Sequence, residues 1–110
     1  MNKINVIIKM PGEPVGHLAT IENTLKELQK IVGGNIEVLR CGTALMILNE
    51  EGKIFGLPTN FMMGTVFKEP IVGTVIICGV EGGEDGDEFI DVPYGLETWK
   101  SLLRMWGNWG

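Results

Sequence analysis

The sequence is short of basic residues, and this scarcity excludes one class of partner. Nine Lys and Arg stand against fourteen Asp and Glu in 110 residues, so the formal net charge is −5. Proteins that bind nucleic acid present a basic surface to the phosphates, so we expect no direct contact with nucleic acid. The imbalance is local, because seven acids and no Lys or Arg lie between Glu81 and Glu97.

Cysteine, histidine and serine are also scarce. The two cysteines, Cys41 and Cys78, are too few for a disulfide scaffold, and their position beside apolar runs predicts that they are buried and reduced. His17 is the only histidine and Ser101 the only serine. A Ser–His–Asp set and a histidine-rich metal site are therefore not indicated. We predict that the protein is not an enzyme and has no cofactor and no metal site.

Long apolar runs are missing as well. No window approaches 18 consecutive apolar residues, the length that would span a membrane. The apolar stretch after Met1 is interrupted by Asn5 and Lys9, and it is too short for a signal peptide. We expect a cytoplasmic protein with no membrane contact.

Glycine and apolar residues, in contrast, are abundant. There are 16 glycines, and 45% of the residues are hydrophobic. This composition favours strands joined by tight turns around a packed core. The length fits a single domain that covers residues 1–110.

The hydrophobic pattern predicts an α+β fold. Thr24 and Glu27 have capping-box spacing, and Gly33 can end the helix that follows; a second helix is predicted over residues 96–106. Residues 44–48 form an apolar run typical of a central strand. The other strands are predicted at 4–10, 15–21, 35–39, 53–55, 71–80 and 88–92. Residues 61–69 are predicted to be an irregular loop or one short turn of helix, and residues 81–87 an acidic loop. Together they predict a mainly antiparallel sheet of five to seven strands with two helices, and a closed or half-closed barrel is the alternative.

A polar turn between two apolar segments is the best candidate for a ligand site. Asn49, Glu50, Lys53 and Asn60 surround a turn shaped by Gly and Pro, and function concentrates on loops that a rigid scaffold positions. The alternative is that the two asparagines satisfy turn backbone and that Glu50 and Lys53 are solvated.

Three tryptophans near the C-terminus form a second candidate site. Trp99, Trp106 and Trp109 lie within eleven residues. Trp99 and Trp106 can pack into the core, or all three can form an interface with a partner or a second copy, since Trp is enriched at interfaces.

Three segments of the chain carry a resemblance to a known family. They are TLKELQKIVGGNIE at 24–37, NEEGKIFGLPTN at 49–60 and IVGTVIICG at 71–79. In this order they resemble the domain-of-unknown-function-3846 family of small bacterial, phage and plasmid proteins, over about residues 21–79. The resemblance implies a cytosolic α+β protein, often encoded on a mobile element, with an accessory or counter-defence role. It implies no activity and no catalytic residues.

Three functional hypotheses follow. The first is a non-enzymatic accessory protein that binds a protein partner, as a homodimer or higher oligomer. The second is a small-ligand protein that binds or sequesters a nucleotide through Asn49, Lys53 and Asn60. The third is an acidic inhibitor that mimics DNA through the acids of residues 81–97.

Overall fold

A computed structural model describes residues 2–63, 69–83 and 86–106 of the chain. This part contains eight strands and two helices. In chain order they are β1 (Lys3–Lys9), β2 (His17–Glu22), α1 (Leu25–Val32), β3 (Ile36–Cys41), β4 (Ala44–Asn49), β5 (Thr59–Met63), β6 (Glu69–Val72), β7 (Val75–Gly83), β8 (Gly86–Ile90) and α2 (Leu96–Met105).

The strands form one six-stranded sheet and one small hairpin. The main sheet has the order β2-β1-β7-β4-β3, and β8 pairs with the C-terminal half of β7. Every neighbouring pair is antiparallel. Among the residues that the structure describes, β5 and β6 pair only with each other. The predicted α+β class and the mainly antiparallel sheet are confirmed, and the sheet is open, with β2 and β3 at its ends, instead of a barrel.

Each face of the main sheet carries its own hydrophobic core. On one face, which we call the α1 face, Leu28 and Val32 of α1 pack on Val6, Ile47 and Ile76. On the other face, the α2 face, Trp99 and Leu103 of α2 pack with Phe61 and Ile71 of the small hairpin. β4 is buried along its whole length because both faces are covered, as its uninterrupted apolar run predicts.

Local signals determine where the helices begin and end. The Thr24 hydroxyl accepts a hydrogen bond from the Glu27 amide at 3.2 Å, so the predicted N-cap is confirmed. Gly33 has φ +86° and donates to the Gln29 carbonyl, which ends α1 as predicted. α2 begins after Gly95 and has Trp106 as its C-cap. Neither of these helices is long and apolar enough to cross a membrane, within the residues that the structure describes.

The prediction of a strand at residues 53–55 is wrong. Residues 50–56 form consecutive turns closed by their own backbone, with Phe55 N donating to Glu51 O and Leu57 N donating to Gly52 O. A strand returning beside β4 would have no edge to pair with, because β3 and β7 already occupy both sides of β4.

The sequence interpretation of residues 61–83 also needs correction. Residues 61–63, predicted to be irregular, belong to β5, and residues 64–68 lie outside the described part. The single strand predicted at 71–80 is two strands, because Gly73 has φ +77° and separates β6 from β7. β7 and β8 extend into the predicted acidic loop and pair up to Gly83 and Gly86.

Candidate functional site

A polar turn at the end of β4 organises the candidate site. The side chain of Asn49 is buried; its Oδ1 accepts from the Glu51 amide at 2.8 Å, and its Nδ2 donates to the Val32 carbonyl at 3.3 Å. Gly52 packs so closely that a Cβ there would lie 2.9 Å from Cγ2 of Val72. The segment 50–57, which we call the 50–57 loop, is therefore held against β6 on the α2 face.

A cavity of about 250 Å³ lies between this loop, β3 and β6. Its walls combine apolar carbon with a polar rim. It is lined by Glu37, Leu39, Leu48, Asn49, Glu50, Lys53, Ile54, Pro70, Ile71 and Val72. Of the four predicted ligand residues, the structure brings Asn49, Glu50 and Lys53 to this cavity.

Two adjacent hydrophobic side chains stand exposed at the outer end of the loop. Ile54 is 80% exposed and Phe55 is 62% exposed, and Ile54 also lines the cavity. Sequence reasoning missed this feature because it assigned residues 53–55 to a strand. The signal that was available is an Ile–Phe pair between two glycines, Gly52 and Gly56, since turn segments seldom bury their side chains.

Asn60, the fourth predicted ligand residue, lies away from the cavity. Its Nδ2 donates to the carbonyls of Lys9 and Gly73, both at 2.8 Å, and its Oδ1 accepts from Nζ of Lys9 at 2.6 Å. These bonds tie β5 to β1 and to the turn before β7. Asn60 therefore holds the small hairpin against the main sheet, and a ligand role for it remains a prediction.

Lys9 is a buried lysine that the sequence analysis did not single out. Its side chain is 4% exposed, and its Nζ lies 5.7 Å from the centroid of the Phe61 ring. Desolvation lowers the pKa of Lys9, and the negative charge of Glu13 partly opposes that shift. Alternation along β1 places Lys9 on the same face as Ile7, and this spacing is the signal that could have found it.

Comparison with models of known protein families shows to which family the chain belongs. The family model for the domain of unknown function DUF3846 matches residues 4–103. The chain belongs to this family. The match is wider than the resemblance drawn from residues 21–79, because it includes the β1–β2 hairpin and most of α2. Neither a curated protein nor a solved structure gives a match to the chain.

Two of the three tryptophans of this DUF3846 domain, Trp99 and Trp106, pack in or against its α2-face core. Trp99 is fully buried, and its Nε1 donates to the Val15 carbonyl at 2.8 Å. Trp106 is half-buried and stacks on Phe61 with ring centroids 5.9 Å apart. Trp99 therefore offers no surface to a partner, and Trp109 lies outside the described residues. An interface role remains a prediction for Trp106 and Trp109.

The described residues of the acidic segment lie in β7, in β8, in the connection to α2 and at the start of α2. Glu81 and Glu88 are exposed and face each other across the β7–β8 pair. Asp91 accepts a hydrogen bond from the Asn5 amide at 2.7 Å. Glu84 and Asp85 lie outside the described residues, and mimicry of DNA by this segment remains a prediction.

His17 is paired with Glu13, and each of the two cysteines belongs to a different core of the sheet. Nδ1 of His17 is 3.0 Å from Oε2 of Glu13. Desolvation favours a higher pKa for Glu13, but the Met10 amide and His17 outweigh it and lower that pKa. Cys41 and Cys78 are free thiols, and they are buried on opposite faces of the sheet. Their predicted burial is confirmed.

Burial makes the thiols poor nucleophiles, because the thiolate is the reactive form. It raises the pKa of Cys41, and it raises that of Cys78 to about 12. Burial and the neighbouring Cys41 raise the pKa of Tyr94 to about 12. The described residues contain no group of three or more His, Cys, Asp or Glu that could hold a metal ion.

Proposed function

We propose that this DUF3846 domain is a non-enzymatic protein-binding module. Its binding surface consists of the exposed side chains of Ile54 and Phe55 and the adjacent cavity; we call it the loop–cavity surface. The single observation that carries the proposal is the exposure of these two neighbouring hydrophobic residues, at 80% and 62%, beside a cavity. Large apolar side chains that are exposed together beside a concavity are typical of protein–protein interfaces.

The backbone of the 50–57 loop supports this function. Three hydrogen bonds close the loop internally, from Phe55 N to Glu51 O, from Gly56 N to Lys53 O and from Leu57 N to Gly52 O. A loop that is already ordered loses little conformational entropy when a partner binds it. Ile54 and Phe55 are thus presented to a partner in a conformation that needs no further ordering.

The family resemblance suggests the setting of this function. An accessory protein of a phage or mobile element would meet its partner in the cytoplasm, where free thiols such as Cys41 and Cys78 stay reduced. The partner is a protein of the host or of the element, and a second copy of this chain is the other possibility.

Substitution of the two exposed residues tests the proposal. We expect that a protein that co-purifies with the full chain from its native host is lost when Ile54 and Phe55 are both replaced by serine. Leu18→Ser is the matched control, because Leu18 is 57% exposed but lies on β2, at the opposite end of the sheet. Quantitative mass spectrometry of the purified material measures the ratio. Equal recovery with both variants would contradict the proposal.

A small-ligand function is the second candidate, and one observation favours it. Asn49, Glu50 and Lys53 line the same cavity. Asn49 and Lys53 are two of the three residues that the nucleotide hypothesis names. The cavity volume of about 250 Å³ is below the range of about 300–1,000 Å³ usual for ligand pockets. Glu37 and Glu50 at its rim would also repel phosphate. Size and charge therefore favour a partner's side chain over a whole nucleotide.

A further inference from the structure

The outer edge of β3 is a free edge of the main sheet, and it borders the cavity. β3 is the last strand in the order β2-β1-β7-β4-β3, and within the described residues only β4 pairs with it. Glu37 and Leu39 on this strand line the cavity. The backbone of the edge and the cavity are thus parts of one surface.

The register shows which backbone groups of β3 point outward. The Glu50 amide donates to the Asn35 carbonyl, and the same register continues from Ile36 opposite Asn49 to Cys41 opposite Ala44. In an antiparallel pair, residues alternate between bonding to the neighbour and pointing away from it. The amide and carbonyl groups of Ile36, Val38 and Arg40 therefore point away from β4. They can bond to an added strand.

Side-chain alternation places the cavity where an added strand would use it. Residues directly opposite each other in a pair lie on the same face, with Cβ atoms about 4.5–5.5 Å apart. A strand added to β3 would set every second side chain beside Glu37 and Leu39, over the cavity. A cavity of about 150 Å³ accommodates benzene, so one of about 250 Å³ accommodates a leucine or phenylalanine side chain.

The charges at the rim indicate what flanks that apolar side chain. Glu37 and Glu50 are exposed at the cavity, together with Lys53, so the rim carries an excess of one negative charge. Arg40 lies on the opposite face of β3 by alternation. The whole chain has a net charge of −5. An incoming strand with basic residues two positions on either side of its apolar residue would complement this rim.

A second copy of the chain fits the edge less well. Symmetric antiparallel pairing of two β3 strands joins residues of the same face, so Glu37 would lie opposite Glu37, Leu39 or Cys41 of the other copy. None of these supplies a cation, and the first places two carboxylates together. Charge thus favours a different protein.

We propose that β3 receives an extended segment of a partner protein as an added strand, with one apolar side chain in the cavity and basic residues two positions on either side. This inference rests on the protein-binding function proposed above and specifies its mode. Strand addition provides affinity through backbone hydrogen bonds and selectivity through the pocket that takes an alternate side chain.

Synthetic peptides test the mode directly. The probes are heptapeptides of pattern Thr-Arg-Thr-X-Thr-Arg-Thr, measured against the full chain by fluorescence anisotropy. We expect X = Leu or Phe to bind at least about tenfold more tightly than X = Asp. N-methylation of one alternate set of peptide amides should abolish binding, and N-methylation of the other set should be tolerated, because only one set faces β3. Equal effects of the two sets, or no binding by any probe, would overturn the proposal.

A substitution in the edge gives the matching test on the protein. Val38→Pro removes an outward amide without removing a β3–β4 hydrogen bond, and proline is tolerated on such edges; Val38→Ala keeps the amide. We expect the proline variant to bind the leucine peptide at least about tenfold more weakly than the alanine variant. Amide exchange gives a second readout on the unmodified chain, where the peptide should slow exchange at Ile36, Val38 and Arg40. Unchanged exchange there overturns strand addition.

The outcomes separate this inference from the proposed function. If the double variant Ile54→Ser, Phe55→Ser loses the natural partner but Val38→Pro keeps it bound, the binding function stands and strand addition is wrong. If neither change affects the partner, both fail. Light scattering can show a dimer at micromolar concentration, and amide exchange can show that its β3 amides are protected without peptide. If both are observed, the edge is occupied by a second copy, and the proposed basic segment is wrong.

Discussion

At the scale of single residues, the asparagines at positions 49 and 60 have different surroundings although both belong to the same sequence segment. Asn49 lies at the cavity, but its amide is used to close the turn after β4. Asn60 bonds to Lys9, a residue 51 positions away in the chain. A polar residue beside a turn can thus be used for a hydrogen bond to the backbone, as both of these asparagines are.

The Lys9–Asn60 pair leads to a prediction on stability. Asn60→Ala leaves the buried ammonium of Lys9 and the carbonyls of Lys9 and Gly73 without their partner. Buried polar groups that lose a partner cost about 1–3 kcal/mol each, so we expect the free energy of unfolding to fall by about 3 kcal/mol, measured by urea denaturation.

The control for this prediction is Asn35→Ala. The exposed side chain of Asn35 accepts only a 3.3 Å bond from Gln29 Nε2 among the bonds of its side chain in the described region. That variant should remain within about 0.5 kcal/mol of the natural chain. A loss below about 1 kcal/mol for Asn60→Ala would show that solvent replaces the missing bonds.

At the scale of secondary-structure elements, the sequence predicts features that depend on neighbouring residues. It does not predict features that depend on which strands pair with each other in the folded chain. The ends of α1 follow from Thr24 and Gly33, which act on the backbone next to them. The course of residues 53–55 depends on whether β4 has a free edge, and that depends on β7, which lies more than twenty residues further on. The cavity could not be predicted for the same reason, since β3 and β6 meet only in the folded chain.

The break between β6 and β7 gives the prediction at this scale. Gly73 has φ +77°, and a Cβ there would lie 2.8 Å from Cδ1 of Leu57. Gly73→Ala therefore combines backbone strain of about 1–2 kcal/mol with a steric clash. We expect a loss of about 2–3 kcal/mol in thermal or urea unfolding.

Gly12→Ala separates the two causes of that loss. Gly12 has φ +94°, and a Cβ there would meet nothing within 4 Å. This variant should show the strain alone, about 1–2 kcal/mol. If the two variants lose the same stability, the side chain of Leu57, whose Cδ1 is the nearest atom, moves aside for the added methyl group without measurable cost.

At the scale of the whole molecule, the arrangement of two cores around one sheet explains why the candidate site lies at an end of the sheet. α1 covers one face, and α2 with the β5–β6 hairpin covers the other. Within the described residues the central strands are enclosed, so a partner reaches the sheet itself only at its edges and at the loops beside them. The loop–cavity surface and the free edge of β3 lie together at one such end.

Alkaline pH tests how completely this enclosure isolates the interior. Burial raises the pKa of Cys78 to about 12, whereas an unfolded thiol ionises near 8.5. The folded state thus binds more protons above pH 8.5, and stability declines as pH rises towards 12, by up to about 1.4 kcal/mol per pH unit for this group. The pKa values of Cys41 and Tyr94 are also raised, whereas the pKa of Lys9 is lowered.

Comparison of two variants isolates the contribution of Cys78 from these other groups. We expect Cys78→Ala to lose about 1 kcal/mol at pH 7 but to decline less steeply than the natural chain between pH 9 and pH 10, by up to about 1.4 kcal/mol. Ile77→Val, in the same strand, costs a similar amount and has no titrating group, so it should keep the natural slope. Urea denaturation under reducing conditions measures both. Because Cys78 belongs to the α1-face core, equal slopes would mean that water reaches this core in the folded protein.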